Sequence, residues 1–166
     1  YGENDGAIGY LIGEENRGIE YMFVMMNNAR LAVGLQGLAI AERAYQQAVN
    51  FAKERVQGKP IQGSLDNSTI IEHPDVRRML LGMKSQIEAM RGLCYEVAAD
   101  LDRANKIEDK DEREKAQAML ELMIPVVKAW CTDTGLAITS TNIQVHGGMG
   151  FMEETGAGQH YRDARI

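Results

Sequence analysis

Leu80-Leu-Gly-Met83-Lys-Ser-Gln-Ile87-Glu-Ala-Met90-Arg-Gly-Leu-Cys94-Tyr-Glu-Val97-Ala-Ala-Asp-Leu101 carries the clearest periodicity in the chain. Leu80, Met83, Ile87, Met90, Cys94, Val97 and Leu101 recur in steps of three and four, which puts them on one stripe of an α-helix. A stripe of this length is a bundle seam, and its methionines read as adaptable core. The spacing predicts a helix from Pro74 to about Ala104. Pro74 suits the first turn, where no backbone N–H is needed. His73, just before it, is placed to cap the helix or to meet a ligand.

The same reading extends to both sides. Between about Ile19 and Val56, the residues Gly34, Gly37, Ala41, Ala44 and Ala48 share one face, and Leu31, Leu35 and Leu38 form a stripe beside it. Two glycines inside a helix cost about 1 kcal/mol each relative to alanine, so close helix packing is expected to offset them. Gly58 followed by Pro60 reads as the stop, with Lys53 and Arg55 in the last turn, where cations suit the helix dipole. A third helix is expected over about Asp111 to Val145, with Met119, Met123, Val126, Trp130, Ala137 and Thr141 on one face and a kink or break at Pro125. Its later half turns polar and small through Thr132, Thr134, Thr139, Ser140, Thr141 and Asn142, a face that wants a polar partner or another subunit. A short fourth helix is expected over Gly156 to Ile166.

The remaining segments are connections. Ile61 to Ile70 is turn-rich and reads as a loop. Asn105 to Lys115 mixes charges of both signs and reads as a solvated loop and helix start. Ahead of the first helix, Ala7 to Ile12 reads as the last strand of an upstream unit, and Gly13 to Gly18 as a turn. The fold class is therefore all-α: an up-down four-helix bundle with a short non-helical lead-in.

Composition bounds the function. The chain has 166 residues, 45% hydrophobic and 25% charged, with a formal net charge of −6. This is ordinary for a globular domain with one core, and it weighs against nucleic acid or an anionic membrane as the main partner. No apolar run is long enough to span a membrane. Cys94 and Cys131 fall in helical patterns and read as reduced core residues, pointing to the cytoplasm. The opening at Tyr1, without Met, and the ending at Ile166 read as a piece of a longer protein. His73, His146 and His160 have no partners at metal-ligand spacing. There is no nucleophile motif, no phosphate loop and no Glu-x-x-His pair of the di-iron bundles.

Gln144-Val-His-Gly-Gly-Met-Gly-Phe151 closes the third helix, and Arg162-Asp-Ala-Arg-Ile166 follows ten residues later. Three glycines in four positions make a helix stop, and they also leave peptide N–H groups able to cradle a phosphate. No strand precedes them, so this is not a dinucleotide fingerprint.

These words, in this order, resemble the C-terminal helical domain of the acyl-CoA dehydrogenases. Gly9-Tyr-Leu-Ile-Gly-Glu-Glu-Asn-Arg-Gly18 is similar to the exit from that family's middle β-domain, and Asn28-Ala-Arg30 to the opening of its first long helix. Phe51-Ala-Lys-Glu-Arg-Val-Gln-Gly-Lys-Pro60 is similar to the family stretch Ala-x-x-Arg-x-x-Phe-Gly-Lys-Pro. The longer loops at Ile61 to Thr69 and near Asp109 resemble a larger bacterial branch that includes enzymes acting on 3-methylmercaptopropionyl-CoA and fatty acyl-CoAs.

The resemblance implies a homo-oligomeric FAD enzyme, a dimer or tetramer, that introduces a Cα–Cβ double bond into an acyl-CoA. A carboxylate would remove the α-proton while the β-hydride goes to flavin N5, and electrons would pass to an electron-transfer flavoprotein. Residues 1–18 would end the middle β-domain and 19–166 would form the bundle. Asn27, Asn28, Ala29 and Arg30 would lie at the acyl-CoA. Arg55, Gln57, His73, Gln144, Gly147 and Gly148 would contact the FAD of a partner subunit. The family's catalytic glutamate is expected just after Ile166. The alternative glutamate of some relatives, beside Arg30, is Ala29 here. Gln57 replaces the family's Phe. These departures keep open an alternative reading, a helical oligomerisation module without catalysis.

Overall fold

A computed structural model describes residues 2–61 and 66–165. Part of the connection after the first helix, 62–65, and Ile166 at the end of the predicted fourth helix lie outside the described residues. Three long helices dominate: α1 (Gly18–Glu54), α2 (Pro74–Lys106) and α3 (Lys110–His146); a short α4 (Ala157–Ala164) follows. The described residues are otherwise turns, single-turn 3-10 segments and one isolated β-bridge. The all-α reading holds.

The predicted stripe of α2 is the core seam. Leu80, Met83, Ile87, Met90, Cys94 and Val97 are buried, and Leu101 is half-buried against them. The small-residue face of α1 is buried throughout. It meets α3 so closely that a Cβ on Gly37 would lie 2.7 Å from the Cys131 carbonyl oxygen, and one on Gly135 would lie 2.8 Å from the Gly37 carbonyl oxygen. Gly34 faces Val127, Gln47 faces Asn142 and Phe51 faces His146, so α1 and α3 run parallel. The turn between α2 and α3 is only Ile107 to Asp109, which makes that pair antiparallel. Asp109 caps α3 by accepting a hydrogen bond from the Glu112 N–H at 2.9 Å, satisfying one otherwise orphaned donor.

Several expectations are corrected. Among the described residues, Ala7 to Ile12 is without a paired strand. Helix α1 stops at Glu54, before Gly58, and Arg55 is its extended C-cap rather than part of its last turn. The connection that follows is not a plain loop. The Gln57 N–H donates to the Ser68 carbonyl, the Ser68 N–H to the Gly58 carbonyl, and the Ile70 N–H to the Arg55 carbonyl, at 2.8–3.1 Å. This antiparallel pairing satisfies the backbone, and Gly58 (φ +72°) serves it in a left-handed conformation.

On α3 the buried seam is offset from the predicted face. Ala116, Leu120, Ile124, Val127, Cys131, Thr134 and Ile138 are buried, whereas Met119, Val126 and Trp130 are exposed. The two stripes are neighbours on the helix, and periodicity alone does not choose between them. Pro125 interrupts neither the helix assignment nor its burial pattern. Cys94 and Cys131, distant in sequence, meet across α2 and α3 as free thiols with sulfurs 3.9 Å apart. Burial, reinforced by Cys94, pushes the Cys131 thiol up to about 12, so it stays an unreactive core group.

Candidate functional site

The parallel course of α1 and α3 sorts the predicted site residues into two groups. The end of α1, the start of α2 and the end of α3 converge at one end of the bundle. Arg55, Gln57, His73, Gln144, Gly147 and Gly148 all belong there. Asn27 to Arg30 stand far away, near the start of α1.

At the first end, Phe51 of α1 stacks on His146 of α3, with ring centroids 4.2 Å apart and planes at 27°. His146 Nδ1 bonds the Asn142 carbonyl oxygen at 2.8 Å. Burial drives the His146 pKa down, and that hydrogen bond only partly opposes it, so the ring is a neutral wall at pH 7. His73 occupies the N-cap position of α2 but does not cap it. Its Nε2 bonds the Gln57 carbonyl oxygen at 2.7 Å, because the β-like pairing brings that carbonyl within reach. Arg55 is exposed, and its guanidinium has no ion-pair partner among the described residues. That leaves an exposed cation at this end of the bundle.

The Gly-rich turn is a 3-10 segment, Gly147–Phe151, and its glycines do different work. A Cβ on Gly150 would lie 2.4 Å from the Ile143 carbonyl oxygen, so Gly150 lets the turn fold onto α3. Gly147 and Gly148 would meet nothing within 4 Å, so their missing side chains leave open clearance on the outer face. Gly147 also needs its positive φ of +57°. One turn earlier, Gln144 lines a polar cleft of about 410 Å³ between α2 and α3, together with Arg78, Gln86, Ser140 and Thr141. Sequence reasoning missed Arg78 and Gln86. The polar later half of α3 was the signal that this face had a partner.

An exposed arginine, the open clearance at Gly147 and Gly148 and a polar cleft lie at the same end of the bundle. Together they can hold an anionic, elongated ligand with hydrogen-bonding groups along its length, as FAD has.

At the other group, Arg30 is half-buried, its Nη1 3.4 Å from Asn27 Oδ1 and its guanidinium carbon 5.9 Å from the Phe23 ring centroid. Asn28 and Ala29 are exposed on a different side of the helix, so Asn27 and Arg30 form the pair and the other two do not join it. The far end of α4 returns to this part of α1. Asp163 and Ala164 line a cavity of about 230 Å³ with Val33, Gln36, Gly37 and Ile40, within a few turns of Arg30. Arg162 is tied to Glu153 by a double hydrogen bond at 3.0 and 2.7 Å, which fixes where α4 departs from the turn.

Comparison with known proteins agrees with this architecture. Residues 16–166 match the family model described as "Acyl-CoA dehydrogenase, C-terminal domain". The 3-methylmercaptopropionyl-CoA dehydrogenase of Ruegeria pomeroyi is 52% identical over 99% of this chain, and a butyryl-CoA dehydrogenase of Syntrophomonas wolfei is 39% identical over 100% of it. The chain spans 28% of the length of each. The crystal structure of butyryl-CoA dehydrogenase from Megasphaera elsdenii superposes with a TM-score of 0.74 at 29% identity, covering 93% of this chain and 35% of that one.

Proposed function

Because the chain belongs to the family of acyl-CoA dehydrogenase C-terminal domains, we propose that it is the helical part of a FAD-dependent enzyme that introduces a Cα–Cβ double bond into an acyl-CoA. Residues 1–18 are then the exit from a preceding β-domain and 19–166 the bundle. The observation that carries this reading is the sorting of Arg55, His73, Gln144, Gly147 and Gly148 to one end of the bundle and of Asn27 and Arg30 to the other. One copy offers a flavin half-site and a substrate half-site that cannot be the same site. A closed homo-oligomer brings the flavin end of one copy to the substrate end of its partner.

The roles follow from the residue types. Arg55 supplies positive charge to the diphosphate, and Gly147 and Gly148 supply clearance for its approach. Gln144 and Gln57 offer amides to the polar edges of the cofactor, and His73 is held beside them by the Gln57 carbonyl. Asn27 and Arg30 hold the acyl-CoA, with Asn28 and Ala29 at the rim. FAD, when bound, supplies the hydride acceptor. The base belongs to the segment after Ile166, and α4 heads from the turn toward the Arg30 region, the side on which a carboxylate would meet the substrate. The work of the chain in hand is binding, orientation and exclusion of water. The wider reading is a cytoplasmic enzyme of fatty acid metabolism that passes electrons to an electron-transfer flavoprotein. Among the described residues, no helix is long and apolar enough to cross a membrane.

The test is visible absorbance and anaerobic reduction of the full-length gene product with FAD and a panel of acyl-CoAs, beside the 166-residue chain. Flavin bleaching by one acyl-CoA supports the reading and names the substrate. Full-length protein that holds no flavin refutes it and leaves the oligomerisation module.

A further inference from the structure

Asn142 is fully buried in α3, two residues before Gln144. Its Nδ2 donates to Gln47 Oε1 of α1 at 2.8 Å, and Gln47 Nε2 donates onward to the Thr155 carbonyl oxygen in the turn before α4. The direction of this relay is fixed by chemistry. Thr155 offers a carbonyl, so Gln47 must present its NH2 there and its oxygen to Asn142, which must answer with its own NH2. Asn142 Oδ1 is buried without a hydrogen-bond partner among the described residues. An apolar residue of similar size would avoid that cost, so packing alone does not account for an amide here.

The seam explains what the amide adds. The α1 face that meets α3 is small at every step, through Gly34, Gly37, Ala41, Ala44 and Ala48. The close fit of Gly37 against Gly135 and the Cys131 backbone sets the register at mid-seam, and the amide pair adds a directional contact nearer the turn, beyond those glycines. A single buried polar pair gives one register a hydrogen bond that the slipped ones lack, the role such pairs play in helix assemblies. The pair also reaches both ends of the Gly-rich turn. The Asn142 carbonyl fixes His146 at its start, and Gln47 fixes Thr155 beyond its end.

We infer that Gln47 and Asn142 are positioning residues: their relay ties the end of α3 to α1 and thereby holds the Gly147–Thr155 segment where it forms the flavin half-site. The inference rests on the proposed function for its ligand but not for its geometry. It predicts a split between cofactor affinity and stability.

The experiment uses full-length protein carrying Asn142→Leu, Gln47→Met or Gln47→Glu. Gln47→Glu keeps the acceptor for Asn142 and removes the donor to Thr155. Amide hydrogen exchange over 147–156 is measured in flavin-free protein, FAD affinity by flavin fluorescence, and thermal midpoint by circular dichroism. In Asn142→Leu and Gln47→Met, exchange over 147–156 is expected to quicken about five-fold and the FAD Kd to rise about five-fold, the equivalent of one ordinary hydrogen bond. The thermal midpoint should move little. Gln47→Glu should quicken exchange at 153–156 and spare 147–149. Unchanged exchange in all three variants overturns the inference, and so does a drop in thermal midpoint with unchanged exchange and FAD affinity. If the unmutated protein binds no FAD, the functional reading fails, and the exchange data alone decide the relay.

Discussion

Arg30 lies within α1 and Arg55 is the C-cap just beyond its end, so the two cannot meet at one site within one chain. About 25 residues of α1 separate them, roughly 38 Å at 1.5 Å per residue. Their settings differ: Arg30 is half-buried beside Asn27, and Arg55 is exposed beyond the end of α1.

Two of the turn's glycines, Gly148 and Gly150, should separate by substitution. Gly148→Ala places a methyl group in open space at a non-positive φ, so folding should be retained while FAD affinity of the full-length protein falls about ten-fold through lost clearance. Gly150→Ala drives a methyl group to 2.4 Å from the Ile143 carbonyl oxygen and should instead destabilise the fold, by about 1–3 kcal/mol. Thermal denaturation and flavin titration of the two variants make the check.

The α1–α3 seam should be equally intolerant. Gly37→Ala meets the backbone of Cys131 and Thr132 at 2.7–3.0 Å, with no flexible side chain able to give way. A loss of about 1–3 kcal/mol is expected from overpacking, despite alanine's better helix propensity. Gly92→Ala on α2, with nothing within 4 Å, should stabilise slightly and serves as the control. Urea unfolding of both variants measures the difference.

Acid should weaken the end of the bundle that carries the turn. Burial lowers the pKa of His146; burial and then the Arg43 cation lower that of His160, with Asp163 opposing. Both rings bind a proton less readily folded than unfolded. Their contribution to stability is therefore complete above the ordinary value of 6.5 and is lost as pH falls through and below it. The thermal midpoint should drop between about pH 7.5 and 5.5. His146→Phe keeps a ring against Phe51 and removes one titrating group, so it should flatten that slope. An unchanged slope would mean that His146 does not sense the proton.

How much of this was legible in the sequence depends on what each residue's role rests on. The α2 stripe and the α1 small-residue face were readable because burial follows a helical period and nothing competes with it. The α3 seam was misassigned because two adjacent stripes, one through Met119, Val126 and Trp130 and one through Leu120, Val127 and Cys131, are both apolar, and only the positions of α1 and α2 select between them. The pairing of Gln57 with Ser68 was invisible because its strands are too short and polar to alternate. Motif resemblance proposes Arg55, His73 and Gln144 as site residues. It could not show that His73 is held by the Gln57 carbonyl, a contact that exists only once the connection has folded. Asn142 shows in the sequence only as one residue of α3's polar face, and Gln47 reads as surface, since a glutamine within a helix gives no sign of its partner until burial shows it.

The central claim is that a complete site draws its flavin half from one copy and its substrate half from another. Co-expression of full-length Arg30→Ala and Arg55→Ala proteins under different tags, with isolation of the mixed oligomer, tests it most directly. Each variant alone should bleach flavin poorly with the acyl-CoA identified for the unmutated protein. If the account is correct, the mixed oligomer regains a substantial share of activity, because some of its sites pair an intact Arg30 with an intact Arg55 from different copies. If the mixed oligomer is no more active than the single variants, both arginines act within one chain's site and the account is wrong.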